Sequence, residues 1–157
     1  MGYHIVVGVD GSESSRLALA WAMDQAALRS GKLTAVLAWQ LPLIGIPGAF
    51  DNDEVEQSAK NVLGGELAAI PRPDNVEVDA LVAQGDPSEA LIHFCEQCGA
   101  DLLVLGSRGR GGFRELRLGS VSGECATHAP CSVTIVKGSQ VSGDGASSGA
   151  ADIASSV

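Results

Sequence analysis

Short apolar runs alternate with longer stretches of helical spacing from one end of the chain to the other, and this alternation restricts the fold more than any other feature. Ile5-Val6-Val7-Gly8-Val9 leads through the polar turn Asp10-Gly11-Ser12 into residues 14–29, where Leu17, Ala18, Trp21, Ala22 and Leu28 recur at helical intervals. Ser30-Gly31 stops that helix, and residues 33–39 form the next strand. Two prolines and two glycines within residues 41–49 mark an irregular connection before a helix over residues 53–69, which Pro71 and Pro73 bar from continuing. Val76, Val78, Ala80 and Val82 alternate with Glu77, Asp79 and Leu81, the pattern of a half-exposed strand near a sheet edge. Gly85-Asp86-Pro87 turns the chain into a helix over residues 88–98, and Leu102-Leu103-Val104-Leu105 reads as a strand buried on both faces. A helix over residues 120–128, stopped by Ala129-Pro130, precedes the last strand, Val133-Thr134-Ile135-Val136. Strict alternation implies an α/β fold of the doubly wound kind: parallel strands, right-handed crossovers and helices on both faces of the sheet. In such sheets the ligand crevice lies at the carboxyl ends of the strands, where the winding reverses. With the first and fourth strands as neighbours, Asp10 and the segment after Leu105 face one another there.

That segment is built to hold an anion. Gly106-Ser107-Arg108-Gly109 is followed after nine residues by Gly119-Ser120, so a long glycine-punctuated loop joins a buried strand to a helix start. Gly106, Gly109, Gly111, Gly112 and Gly119 open φ values closed to other residues and let a ligand approach main-chain N–H groups. The first N–H groups of the helix at Ser120 lack internal partners and carry the positive end of its dipole, so they suit a phosphate. Arg108, Arg110, Arg114 and Arg117 place four of the chain's ten basic residues in this loop.

Elsewhere the chain is acidic. A net charge of −9 over 157 residues argues against a general nucleic-acid binder, which needs a broad basic face, and against adhesion to anionic membranes. No window approaches the roughly 20 apolar residues of a membrane helix, and Met1-Gly2-Tyr3-His4 carries no basic export segment, so a cytoplasmic location is expected. Cys95, Cys98, Cys125 and Cys131 are then expected as reduced, buried or half-buried thiols. Cys95 and Cys98 have redox-motif spacing, yet a helix end, with its negative dipole, disfavours their thiolates. No metal site is expected among them, and His4, His93 and His128 show no spacing to an acid or a nucleophile. Residues 1–137 are expected to form one domain; residues 138–157, mostly Gly, Ser and Ala with two aspartates, are expected to be a flexible tail.

Taken together, the motifs resemble the universal stress protein family and its nucleotide-binding branch, whose signature of Gly, two residues, Gly, nine residues, Gly and Ser or Thr is met by Gly106, Gly109, Gly119 and Ser120. Further matches are the opening Ile5-Val6-Val7-Gly8-Val9-Asp10-Gly11-Ser12, the strand end Ala38-Trp39, Leu118-Gly119-Ser120-Val121-Ser122, and His128-Ala129-Pro130-Cys131. The resemblance, over residues 3–137, implies a five-stranded parallel sheet of order 3-2-1-4-5, usually dimeric, with ATP in the crevice. It places Asp10 against the ribose and phosphates, Ala38 against the adenine, and Gly106, Arg108 and Gly109 along the ribose and phosphate side. Gly119, Ser120, Val121 and Ser122 would hold the triphosphate at the helix start, with Mg²⁺ the favoured metal. Asp10 also has the alternative role of capping the helix that follows, and Ser12 is read as a cap.

Three functions compete on this reading. The first is an ATP-binding regulatory module of stress response, acting on an unknown protein partner and at most a slow ATPase, since no residue is placed to orient an attacking water. The second is an adenylyl-transferring enzyme of the wider adenine-nucleotide α/β group. The third, compatible with the first, is a nucleotide-free scaffold, a homodimer paired through Val133-Thr134-Ile135-Val136.

Overall fold

The computed structural model describes residues 2–41, 48, 51–108 and 118–138. Its elements run β1 (His4–Gly8), α1 (Glu13–Arg29), β2 (Lys32–Trp39), α2 (Asn52–Ala68), β3 (Glu77–Gln84), α3 (Pro87–Cys98), β4 (Leu102–Gly106), α4 (Ser120–His128) and β5 (Ser132–Val136). The strands form one sheet in the order β3-β2-β1-β4-β5 with every neighbouring pair parallel, so both the alternation and the implied order 3-2-1-4-5 hold. The winding direction reverses between β1 and β4, which pair from Ile5↔Leu102 to Val7↔Val104.

Two apolar layers flank the sheet. On one face α1 and α2 bury Ala18, Leu19, Ala22, Met23, Ala59 and Leu63 against Ile5, Val7, Leu33, Ala35, Leu102 and Val104. On the other, Leu91 and Cys95 of α3 and Cys125 of α4 cover Val6, Val36, Leu103 and Leu105. Ile5, Val6 and Val7 are fully buried in succession, the signature of a strand covered on both sides. Each such aliphatic side chain contributes roughly 1.5–3 kcal/mol by leaving water.

Local chemistry sets the boundaries. Ser12 caps α1 by accepting a hydrogen bond from the Ser15 N–H at 3.2 Å, as expected. Asp86 caps α3 through the N–H groups of Ser88 and Glu89, which moves the helix start to Pro87. These bonds, the Ser88 hydroxyl foremost, hold the Asp86 carboxyl below its usual range. Gly99, at φ 62°, ends α3 in the left-handed conformation. β3 lies at an edge with Glu77, Asp79 and Gln84 exposed, but it starts one residue later and runs two residues further than the alternation suggests. Val76 belongs to a turn, its N–H bonded to Pro73, while pairing with β2 continues to Trp39↔Gln84. Most of the irregular connection over residues 41–49, and all of the tail beyond Gly138, lie outside the described residues.

Candidate functional site

The carboxyl ends of β1 and β4 are fastened to the same turn of α1. Ser15 Oγ accepts from the Asp10 N–H at 3.3 Å, and its neighbour Ser14 accepts from the Arg108 N–H at 3.3 Å. Two adjacent serines thus hold the two walls of the crevice. Asp10 does not cap α1: its carboxylate accepts from the Ser12 N–H at 2.9 Å, closing the turn one step before the cap. Gly11 takes φ 79° in that turn, and its carbonyl accepts from the Arg16 guanidinium at 3.1 Å. Arg16 also donates through Nε to Glu66 of α2 at 2.9 Å, so a bridge between the helices supports the turn beneath Asp10.

Gly106 is explained by packing. A Cβ there would fall 2.7 Å from the main chain of Ser14, so only glycine lets β4 end against the first turn of α1. Its backbone is not left-handed, and Gly119 has φ −68°; neither described motif glycine uses the conformational freedom expected of it. The two halves of the motif are tied together: Ser122 Oγ donates to the Gly106 carbonyl at 2.7 Å, and the Gly119 N–H donates to the Ser107 carbonyl at 2.9 Å. Ser122 is buried, and its hydroxyl proton is committed to that tie. Ser120 is exposed, and Val121 is half-buried. As the N-cap of α4, Gly119 offers no side chain to the first-turn N–H groups, and no acidic residue stands in that turn. Within α4 itself, therefore, no side chain of the first turn offsets the positive end of the dipole. Ala38 sits at the carboxyl end of β2, paired with Ala83, as a small half-buried side chain beside the buried Trp39. Gly109 and the arginines at 110, 114 and 117 lie outside the described residues.

A cavity of about 930 Å³ opens at the opposite, amino end of the sheet, lined among others by His4, Lys32, Asn75, Glu77 and Asp101. Several of its polar groups are engaged in structure. Lys32 pairs with Asp79 at 2.7 Å and Glu77 at 3.0 Å, which lifts its ammonium to about 12, and His4 Nε2 shares a 2.8 Å hydrogen bond with Thr34. Burial, then the nearby Lys32 charge, lowers the His4 imidazole below its ordinary value. The thiols of Cys95, Cys98, Cys125 and Cys131 are free and buried or half-buried, as expected, and desolvation raises each of them, Cys125 to about 11. Among the described residues no group of histidines, cysteines and acids could hold a metal.

The crevice at the β1–β4 reversal, bounded by Asp10, Gly106 and the glycine N-cap of α4, thus gathers the described part of the glycine signature at one end of the sheet. The model of the universal stress protein family matches residues 1–137. The chain belongs to the universal stress protein family. Universal stress protein Rv2623 of Mycobacterium tuberculosis is 35% identical over 134 residues, 85% of this chain and 44% of that protein. A universal stress protein of Thermus aquaticus is 31% identical over 142 residues, 85% of this chain and 97% of that protein. The chain spans less than half the length of the mycobacterial relative. Among solved structures, a universal stress protein in complex with cAMP is 27% identical with a TM-score of 0.63, over 86% of this chain and 97% of that one. A universal stress protein family member from Arabidopsis thaliana with AMP bound, 24% identical over 86% of this chain and 91% of that one, shares the fold with a TM-score of 0.58.

Sequence reasoning missed Ser14, Ser15 and the Arg16–Glu66 bridge. Ser14 and Ser15 read as ordinary first-turn residues, and only the close approach at Gly106 hints that something packs there. The bridge joins residues 50 positions apart, with no local pattern to reveal it.

Proposed function

We propose that this universal stress protein binds ATP in the crevice at the carboxyl ends of β1 and β4, and acts as a nucleotide-dependent regulatory module. The observation that carries the reading is the glycine-capped start of α4, tied to β4 by the Ser122–Gly106 and Gly119–Ser107 hydrogen bonds, with no acid in its first turn. An anion there meets the N–H groups of Ser120, Val121 and Ser122 and the positive end of the dipole. The cAMP and AMP in related structures support an adenine nucleotide. Ala38 offers a small surface to the base, and Arg108 and Gly109 extend the phosphate side. Asp10, oriented by the Ser12 N–H, supplies its carboxylate to a ribose hydroxyl or to Mg²⁺, which when bound neutralises phosphate charge. Ser122 contributes its N–H, since its hydroxyl proton is used within the fold.

Several further readings accompany this one. The protein is cytoplasmic; among the described residues no helix is long and apolar enough to cross a membrane. It pairs as a homodimer through β5, whose outer edge is open in the sheet order. The universal stress protein domain is residues 1–137, with the remainder a tail. The protein is at most a slow ATPase. Denaturing freshly purified protein, identifying released nucleotide by chromatography and titrating the emptied protein with Mg-ATP tests the reading. Released or titratable adenine nucleotide is expected; no uptake of ATP or any adenine nucleotide contradicts it.

A further inference from the structure

A chain of hydrogen bonds runs from α2 to the Asp10 carboxylate, and it passes through a single peptide unit. Glu66, near the end of α2, is half-buried, while Arg16 of α1 is exposed. Arg16 donates through Nε to both carboxylate oxygens of Glu66, at 2.9 and 3.1 Å, and through Nη2 to the Gly11 carbonyl at 3.1 Å. That carbonyl and the Ser12 N–H belong to the same peptide unit, and the Ser12 N–H donates to Asp10 Oδ1 at 2.9 Å. In a trans peptide the C=O and the N–H point in opposite directions. One planar group is thus held by a cation at its carbonyl and holds an anion at its N–H, and hydrogen bonds in such a series strengthen one another. The two contacts of Arg16 use different nitrogens of one rigid guanidinium, a geometry that a lysine ammonium on its flexible stem does not reproduce.

We propose that Arg16 is a positioning residue for the nucleotide site: through the Gly11–Ser12 peptide it fixes the Asp10 carboxylate where that group meets the ribose or Mg²⁺, and Glu66 fixes Arg16 in turn. The inference rests on the nucleotide reading above and adds to it two residues that lie behind the crevice wall. An ion pair with one exposed partner contributes little to folding by itself, so a bridge that served stability alone could be lost at small cost to fold and site alike. Positioning places the cost elsewhere. Without the Arg16 contact the Gly11–Ser12 peptide is free to rotate, the Ser12 N–H leaves the carboxylate, and a bound nucleotide must order Asp10 at its own expense. Loss of Arg16 therefore weakens ligand binding while the folded state keeps its stability.

The test compares wild type, Arg16→Lys, Asp10→Ala and the double variant by isothermal titration of nucleotide-free protein with Mg-ATP. Arg16→Lys is expected to lower the affinity about fivefold or more, with a thermal midpoint within about 2 °C of wild type. Asp10→Ala is expected to lower it at least as far, and the double variant to bind as Asp10→Ala does, since Arg16 acts through that carboxylate. Wild-type affinity in Arg16→Lys, or losses that simply add in the double variant, overturns the proposal. A second measurement needs no nucleotide: hydrogen exchange of the Ser12 amide, followed by nuclear magnetic resonance, should be about tenfold faster in Arg16→Lys than in wild type. An unchanged exchange rate overturns the proposal whatever the titrations show. If wild type takes up no ATP, the nucleotide reading falls, and the Ser12 exchange rate alone decides whether Arg16 positions Asp10.

Discussion

At the scale of single residues, the crevice is defined by what its side chains must avoid as much as by what they offer. Gly106 is fixed by the main chain of Ser14, which leaves no room for a methyl group. Gly106→Ala is therefore expected to destabilise the fold by about 1–3 kcal/mol, because backbone cannot yield as a flexible side chain does; urea denaturation measures it. His4 gives a pH dependence. Burial and Lys32 lower its imidazole below 6.5, so below that pH unfolding takes up a proton the folded state resists. The contribution of neutral His4 is complete above the unfolded value and declines as pH falls from there toward the folded value. Thermal unfolding from about pH 7.5 to about pH 5.5 should show the gap between wild type and His4→Gln narrowing toward acid; a constant gap contradicts this. The glycine signature was legible in sequence because its spacing is local. The packing demand on Gly106 was not legible, since its partner Ser14 is distant in sequence.

At the scale of elements, alternating periodicity made the order of strands and helices readable, and errors stayed at the ends. α3 begins at Pro87 because the Asp86 carboxylate caps it, and β3 outruns its apolar pattern because pairing with β2 holds Ala83 and Gln84. The open edge shows a subtler point. Ser107 N–H donates to the Val136 carbonyl, and in a parallel ladder this directs the main chain of Thr134 and Val136 toward β4. The groups of Val133 and Ile135 then point to the open edge. Proline at 134 or 136 would damage the sheet itself, so Ile135→Pro is the informative change. If β5 pairs across a two-fold axis, light scattering should show a dimer becoming a monomer that keeps its far-ultraviolet circular dichroism. An unchanged dimeric mass removes this interface.

For the whole molecule, the strand order puts the winding reversal between β1 and β4, and every described part of the candidate site lies at that one end. What the sequence could not reveal is how that end is held: Ser14 and Ser15 on the two walls, Arg16 and Glu66 beneath the Asp10 turn, Ser122 locking α4 to β4. These contacts join distant positions and leave no periodic trace. The central claim is that the start of α4 receives nucleotide phosphate, and Ser120→Glu tests it most directly. A carboxylate in the first turn suits the helix dipole, so the fold should keep its stability, while the added charge occupies the anion position. Isothermal titration of nucleotide-free protein with Mg-ATP is predicted to show binding by wild type and affinity reduced at least about tenfold in the variant, a loss of about 1.4 kcal/mol or more. Equal affinity in the two proteins, or no binding by wild type, would contradict the account.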